Sequence, residues 1–202
     1  EIYTLSLHDA LPISSLGRYR CLLDDGTAVT ATKARILGRR GVIVGDRVKL
    51  DGDVSGAAGT LARIVEVSER RTWLRRSADD ADTFERPIVA NADQLMIVTA
   101  LADPEPRMGM IDRILVAAYD ARISPILCLT KADLASPEDL RVAYSPLEIP
   151  VVVTRPGGDL SPVRELLEQH TTVLIGHSGV GKSTLVNITK RSEERRVGKE
   201  CR

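Results

Sequence analysis

The chain has 202 residues, and its 28 Lys and Arg residues balance 28 Asp and Glu residues. This length accommodates one large or two small domains, and the neutral balance excludes a global field that would draw the protein to nucleic acid or a membrane. Three widely separated cysteines argue against a disulfide framework or a zinc site, and no apolar run could span a bilayer, so we expect a cytoplasmic protein without a membrane partner.

One DNA string accounts for both ends of the chain. Residues 191–201 are encoded by a string that resembles a common sequencing adapter, and its reverse complement, read in another frame, encodes residues 4–13. We therefore expect residues 1–13 and 191–202 to be adapter-like, non-native segments. The natural segment is expected to run from about Ser14 to Lys190, as a truncated fragment of a longer protein.

Short strands at close spacing follow the first of these segments. The stretch from Arg18 to Leu23 leads into the turn signal of residues 24–26, and further short apolar stretches with Gly-rich connections continue to Val67. This pattern predicts a small OB-like β-barrel over residues 14–70 that is incomplete at its N-terminus. The charged stretch 71–87, rich in Arg and Asp, is predicted to be a linker.

From residue 88 the pattern changes to alternating strands and helices. Continuous apolar strands are predicted at 94–100, 125–129, 149–153 and 171–175. Helices are predicted around 110–118, from 136 and over 161–169. Strands this apolar are typical of a parallel sheet that is covered on both faces. We therefore predict an α/β fold in which the barrel precedes a domain with a mainly parallel sheet over residues 88–190.

The most specific motif lies near the C-terminus and fits G-x-x-x-x-G-K-[ST], the P-loop that wraps the phosphates of a nucleotide. It follows the predicted strand 171–175, and the backbone N–H groups and helix N-terminus of such a loop supply partial positive charge to phosphate oxygens. Lys182 is predicted to reach the β- and γ-phosphates, and the Ser183 hydroxyl is predicted to bind Mg²⁺. The predicted phosphate-binding residues are Gly176, His177, Ser178, Gly179, Val180, Gly181, Lys182, Ser183 and Thr184.

A second motif ends the predicted strand 125–129 and is similar to the N-K-x-D tetrad of GTPases. It consists of Thr130, Lys131, Ala132 and Asp133, with Thr where Asn is usual. In such a tetrad the Asp accepts two hydrogen bonds from guanine and the Lys stem covers the base, whereas adenine would leave the carboxylate unpaired. A solvated turn and helix cap would be the commoner explanation of the tetrad alone. In the same sheet as a P-loop, it predicts guanine specificity.

Two weaker matches complete the motifs. Thr154, after the predicted strand 149–153, stands where GTPases place a short loop that contacts guanine. The residues from Asp53 to Gly56 match the D-x-x-G pattern of GTPases, but no apolar strand delivers them to the P-loop, so we interpret this match as chance.

A guanine motif that precedes a P-loop, behind a small barrel, resembles the circularly permuted ribosome small subunit-dependent GTPase A family. Further residues that carry the resemblance are 44–48, 71–76, 88–94 and 112–113. The resemblance implies an OB-fold that contacts rRNA, and a monomeric enzyme that hydrolyses GTP to GDP and phosphate in maturation of the small ribosomal subunit. It also implies a zinc-binding domain, whose ligands this chain lacks. The family's switch elements follow the P-loop, so no catalytic residue is assigned in this chain.

Two alternatives remain at this point. One is an RNA-binding OB module whose nucleotide site is non-hydrolytic in this truncated chain, and the other is an ATP-using P-loop protein in which Asp133 is an ordinary loop residue. Clustered basic residues could contact successive phosphates along an RNA backbone, although solvated surface charge explains their presence equally well. These residues are Arg35, Arg39, Arg40, Arg47, Lys49, Arg70, Arg71, Arg75 and Arg76.

Overall fold

The computed structural model describes residues 3–5, 13–15, 18–38, 41–76 and 86–187. The first described element is the short strand β1 (Tyr3–Leu5). Of the two terminal segments predicted to be non-native, only residues 3–5 and 13 belong to the described part of the chain.

The next strands form a sheet of their own, the barrel sheet. They are β2 (Ile13–Ser15), β3 (Arg18–Leu22), β4 (Ala28–Lys33), β5 (Val48–Asp51) and β6 (Ala62–Val67), with a 3₁₀ turn at Arg35–Leu37. The strand order is β2-β3-β4-β6-β5, and the neighbours are antiparallel except for the parallel pair β4 and β6. Alternate side chains such as Val29, Ala31 and Ile64 are completely buried in a small apolar core, as the alternating strand pattern predicts.

Strands also form where the sequence predicts a linker. β7 (Trp73–Arg76) pairs in antiparallel fashion with β8 (Arg86–Ala90). Leu74 and Val89, opposite each other in this pair, are buried in the core of the C-terminal domain. The segment 71–87 therefore contributes one whole strand and the first residues of another, while residues 77–85 lie outside the described part.

Alternating strands and helices build the C-terminal domain. They are β9 (Gln94–Ala100), α1 (Met108–Asp120), β10 (Ser124–Thr130), α2 (Glu138–Tyr144) with a 3₁₀ turn at Ser145–Leu147, β11 (Val151–Val153), α3 (Ser161–Leu167) and β12 (Thr172–Ile175). Residues 182–187 are helical. The main sheet has the order β1-β12-β9-β10-β11, in which β1 is antiparallel and the other strands are parallel.

The main sheet is buried on both faces, as its continuous apolar strands predict. Along β9, Leu95 and Ile97 face the apolar cluster that includes α1 and α2, whereas Met96 and Val98 face the cluster that includes α3 and helix 182–187. All four side chains have no exposed surface. Among the described helices, none is long and apolar enough to cross a bilayer.

Partly buried hydrogen bonds link residues 43–46, just before β5, to residues 70, 71 and 91, which lead into the main sheet; we call this contact the joint. The Asp46 carboxylate, whose side chain is 0% exposed, accepts a hydrogen bond from Arg70 Nε at 2.7 Å. Asn91 donates from Nδ2 to the Gly45 carbonyl at 2.8 Å and accepts from the Arg71 N–H, also at 2.8 Å. Within the described residues, no buried side-chain nitrogen or oxygen lacks a partner, so the joint is a fully paired polar contact.

Candidate functional site

The loops that follow the parallel strands meet at the carboxyl edge of the main sheet, where open α/β sheets bind ligands. Gly176 follows β12, Leu101 follows β9, Thr130 ends β10 and Thr154 follows β11. Backbone hydrogen bonds join neighbouring loops, from Leu101 N to Thr130 O at 2.9 Å and from Thr154 N to Leu129 O at 2.8 Å. The P-loop and the tetrad therefore lie at one edge of one sheet.

The P-loop glycines stand where other residues would not fit. A Cβ atom on Gly176 would lie 2.1 Å from the Val98 carbonyl oxygen. Gly179 and Gly181 have φ angles of +79° and +96°, the left-handed region that favours glycine. Between them, Val180 is buried in the core beside α3. An apolar side chain thus anchors the loop to the core, and Cβ atoms are absent where the backbone turns.

Lys182 is enclosed by the loop it follows. The residue is 4% exposed, and its Nζ donates to the carbonyls of Gly176 at 2.9 Å and His177 at 2.6 Å. A buried ammonium needs such acceptors because an unpaired one would be very costly to desolvate. Four other predicted residues, His177, Ser178, Ser183 and Thr184, are exposed along the loop and the first turn of helix 182–187.

Thr130 joins the tetrad to the P-loop directly. It is 5% exposed, and its hydroxyl donates to the Val180 carbonyl at 2.7 Å and lies 3.3 Å from the Thr99 carbonyl. Its hydroxyl therefore links β10, β9 and the phosphate loop from the position that Asn usually occupies. This role could not be read from the tetrad alone, because it depends on β9 placing the two loops side by side.

The other tetrad residues form a tight turn beside the loop after β11. Lys131 is half-buried with φ of +58° and accepts at its carbonyl from Leu134 N at 3.0 Å. Ala132 N donates to the Thr154 carbonyl at 3.1 Å. Asp133 is exposed at the tip of this turn. The structure thus brings Ala132 into contact with the weaker match at Thr154, and Thr130 and Lys131 line a cavity with it.

Thr154 is itself buried, with 7% of its surface exposed. Its side chain hydrogen-bonds with the Cys128 thiol, although burial is the larger influence and raises the pKa of Cys128 to about 12.

The D-x-x-G match lies away from the site. Asp53 is in the connection between β5 and β6 of the barrel sheet, where its carboxylate accepts a hydrogen bond from Ser55 N at 2.9 Å. That local turn agrees with a chance D-x-x-G match.

A cavity of about 560 Å³ lies between the two motifs, a volume typical of small-molecule sites. It is lined by Thr130, Lys131, residues 154–160, Arg164, Val180, Gly181, Thr184 and Leu185. The first two tetrad residues and the helix after the P-loop therefore face one shared space, whereas Ala132 and Asp133 are not among the residues that line it. Arg155 and Arg164 add two exposed cations to its lining.

The loop 154–160 forms a wall of this cavity that the motifs do not reveal. Gly158 N donates to the Arg155 carbonyl at 3.0 Å, and Pro156 and Gly157, with φ of +70°, are the central residues of this type II turn. Asp159 then accepts from Ser161 N at 2.9 Å, and this hydrogen bond lowers the pKa of the Asp159 carboxyl. The Pro-Gly-Gly sequence signals the turn, but only the fold places it on the cavity.

Comparison with known proteins identifies relatives of the same architecture. The family model described as RsgA GTPase matches residues 67–200. The small ribosomal subunit biogenesis GTPase RsgA of Chlorobaculum tepidum is 36% identical over 179 residues, which cover 84% of this chain and 57% of that protein. The protein of the same name from Azotobacter vinelandii is 37% identical over 165 residues, covering 78% and 46%. The chain thus spans about half the length of these curated relatives.

Two solved structures share the fold. The crystal structure of YjeQ from Thermotoga maritima has a TM-score of 0.68 and 25% identity, covering 94% of this chain and 65% of that one. The structure of YloQ, a circularly permuted GTPase, has a TM-score of 0.65 and 25% identity, covering 93% and 64%. These matches confirm the predicted α/β fold, an OB-like barrel followed by a circularly permuted P-loop domain. The chain belongs to the RsgA GTPase family.

Proposed function

We propose that this protein binds guanine nucleotides and hydrolyses GTP to GDP and phosphate during maturation of the small ribosomal subunit, as a monomer in the cytoplasm. The observation that carries the proposal is the contact between two recognition elements. The Thr130 hydroxyl of the tetrad donates to the Val180 carbonyl of the P-loop at 2.7 Å, and both residues line one cavity. One nucleotide can therefore reach a phosphate site and a base site together.

The charged residues have separate roles in this proposal. Lys182 donates to two P-loop carbonyls, and phosphate oxygens would replace these neutral acceptors with charged ones that bind an ammonium more strongly. The exposed carboxylate of Asp133 accepts from the guanine edge, and the Lys131 stem lies against the base. Phosphoryl transfer needs mainly positioning and charge stabilisation, so these residues hold the substrate while the catalytic residue stays unassigned.

A magnesium ion fits the donor set of this loop. Ser183 is an exposed residue directly after Lys182, and its hydroxyl oxygen is the kind of ligand that Mg²⁺ takes. In the part of the chain that the structure describes, no group of three or more His, Cys, Asp or Glu residues could hold a metal. Mg²⁺ usually takes one or two protein oxygens and completes its octahedron with phosphate oxygens and water. Ser183 would thus hold Mg²⁺ together with the nucleotide, and zinc stays an expectation from the resemblance.

The partner that we propose for the barrel sheet is rRNA of the small ribosomal subunit. Some residues predicted to follow RNA phosphates are already paired: Lys49 with Glu66, Arg70 with buried Asp46 and Arg71 with Asp93. A different set supports the proposal. Arg18 and Arg20 on β3 and Arg63 on β6 are exposed, and the register places Thr32 between Arg18 and Arg63. Such a row of guanidinium groups suits a phosphate backbone.

Competition binding tests the proposal. Fluorescent GDP should bind the protein in the presence of Mg²⁺, and GTP should displace it while ATP does not. Asp133→Asn should weaken GDP binding by at least about tenfold and improve binding of xanthosine diphosphate, because an amide donates where the carboxylate accepted. Asp120→Asn is the matched control, since Asp120 is an exposed carboxylate at the end of α1.

Three other outcomes of these binding experiments would contradict the proposal in different ways. Displacement of GDP by ATP as well as GTP would contradict guanine specificity and favour an ATP-using P-loop protein. Unchanged selectivity in Asp133→Asn would remove the role given to this carboxylate. If no nucleotide binds while salt-sensitive RNA binding is retained, the protein is an RNA-binding module.

A further inference from the structure

The loop between β9 and α1, residues 101–107, lies beside both predicted nucleotide motifs although it belongs to neither. Its backbone joins the tetrad through the hydrogen bond from Leu101 N to Thr130 O, at 2.9 Å. Its Asp103 carbonyl accepts a hydrogen bond from Lys131 Nζ. On the other side, Pro104 Cδ is the nearest atom, at 3.9 Å, to the place where a Cβ on Gly179 would lie. The loop therefore bonds to the tetrad and lies beside the P-loop.

The Lys131 side chain is fixed at both of its ends. At the backbone end, the turn holds it through bonds from Leu134 N to Lys131 O at 3.0 Å and from Ala132 N to Thr154 O at 3.1 Å. At the ammonium end, the Asp103 carbonyl holds Nζ. A lysine side chain normally has large rotamer freedom, and a stem that is already ordered loses less of it when a ligand binds.

Both residues of this contact have a backbone conformation that L-residues rarely adopt. Asp103 has a φ of +44° and Lys131 a φ of +58°. Left-handed non-glycine residues persist where the surrounding structure determines them, and such residues cluster at functional sites. Here they lie in the loops that follow the neighbouring strands β9 and β10, at the edge where the cavity lies, and Lys131 lines that cavity.

We propose that Asp103 is a positioning residue for nucleotide binding: its carbonyl fixes the Lys131 stem as a preformed surface for the flat face of the purine. This inference rests on the proposed function, because it assumes that a purine enters the cavity beside Lys131. The stem contacts the face of the base and not its hydrogen-bonding edge. Asp103 therefore contributes affinity that the guanine and hypoxanthine bases share, whereas Asp133 contributes selectivity between them.

The test compares two strained substitutions at opposite edges of the main sheet, one after the carboxyl end of β9 and one before the amino end of β10. Asp103→Val places a β-branched residue at a φ of +44°, which displaces the carbonyl, and should weaken binding of both GDP and inosine diphosphate by about tenfold. Arg122→Val is the matched control, because Arg122 is also exposed and left-handed, with a φ of +55°, but precedes the amino end of β10. It should lower the melting temperature similarly and leave GDP affinity unchanged.

Two more variants separate positioning from general damage. Asp103→Gly keeps the carbonyl and the left-handed φ, so it should bind GDP like the parent. Lys131→Met removes the ammonium, and adding Asp103→Val to it should weaken binding no further if Asp103 acts through Lys131.

Equal GDP affinities for Asp103→Val and Arg122→Val would overturn the inference, as would full additivity in the double variant. Failure of the unchanged protein to bind GDP would instead refute the proposed function, so the two failures are distinguishable.

Discussion

The two edges of the main sheet use polar residues in opposite ways. At the amino edge, the joint contains Asp46 and Asn91, both buried, and each is paired with another fixed part of the chain. At the carboxyl edge, Lys182 and Lys131 donate to backbone carbonyls of loops. A carbonyl that loses an ammonium can be satisfied by water or a ligand, whereas a buried carboxylate that loses its arginine cannot.

The difference between the two edges distinguishes polar contacts that stabilise the fold from polar contacts that a ligand can replace. A buried ion pair gives little net stability when both partners are present, but removing one partner leaves an uncompensated charge. A lysine that is held by neutral carbonyls can exchange them for phosphate oxygens with a gain in hydrogen-bond strength. We therefore expect changes at the joint to affect stability alone, and changes at the carboxyl edge to affect nucleotide affinity as well as stability.

The largest expected effect is at the joint. Asp46→Ala removes the carboxylate that accepts from Arg70 Nε at 2.7 Å and from Ile43 N at 2.8 Å. The free energy of unfolding should fall by about 3–5 kcal/mol, because the Arg70 guanidinium stays largely buried without its partner. Urea denaturation measures this change, and the folded fraction should bind GDP with unchanged affinity.

Lys49→Ala is the control for this variant, because the Lys49 and Glu66 side chains are 68% and 52% exposed. The free energy of unfolding of Lys49→Ala should fall by less than about 1 kcal/mol. A loss for Asp46→Ala as small as that of the exposed pair would contradict our interpretation of the joint.

The second effect concerns the close packing of the P-loop. Gly176→Ala places a Cβ atom 2.1 Å from the Val98 carbonyl oxygen, so the loop or β9 must shift. We expect a loss of about 3 kcal/mol in unfolding free energy, and GDP binding too weak to measure by fluorescence titration.

Gly109→Ala serves for comparison, since nothing lies within 4 Å of the added Cβ in α1. It should raise stability by about 0.5 kcal/mol. Normal GDP binding by Gly176→Ala would show that the P-loop tolerates a displacement of its first residue.

The smallest effect tests the link between the two motifs. Thr130→Val keeps the shape of the side chain but removes the hydroxyl that donates to the Val180 carbonyl at 2.7 Å. The free energy of GDP binding and the free energy of unfolding should each become less favourable by about 1 kcal/mol, the contribution of one buried hydrogen bond. Calorimetric titration and urea denaturation measure the two quantities, and Thr130→Ser, which retains the hydroxyl, should lose less of both. Equal losses of binding and unfolding free energy in Thr130→Val and Thr130→Ser would argue against a contribution from the hydroxyl hydrogen bond.

Much of the fold follows from local patterns in the sequence. β9 has the predicted bounds of 94–100, and β10 extends the predicted strand by one residue at each end. β11 begins at Val151 and not at 149 as predicted, consistent with Pro150, which has no N–H to donate to a ladder. Periodicity identifies these elements because both faces of the sheet are covered with apolar side chains.

The features of the fold and the site that the sequence does not predict depend on contacts between distant segments. β7 has the buried apolar residue Leu74 between the exposed Trp73 and two arginines, so its pairing with β8 leaves little local signal. In the same way, the motifs locate Lys131 and the P-loop, but the role of Asp103 arises only because β9 and β10 are neighbours. Proximity of this kind cannot be read from one sequence without its fold.

The strand order also sets the sequence of events during synthesis. β9 pairs with β10 and β10 pairs with β11, in each case the next strand along the chain, so this part of the sheet can assemble once residue 153 has left the ribosome. β12 comes later and pairs on the far side of β9, where Thr172 meets Gln94 across 78 positions. Contacts at such long range form slowly, and domains emerge N-terminal end first. The turn at residues 131–134 is therefore available before the P-loop, and a nucleotide bound as proposed would stabilise the contact that forms last.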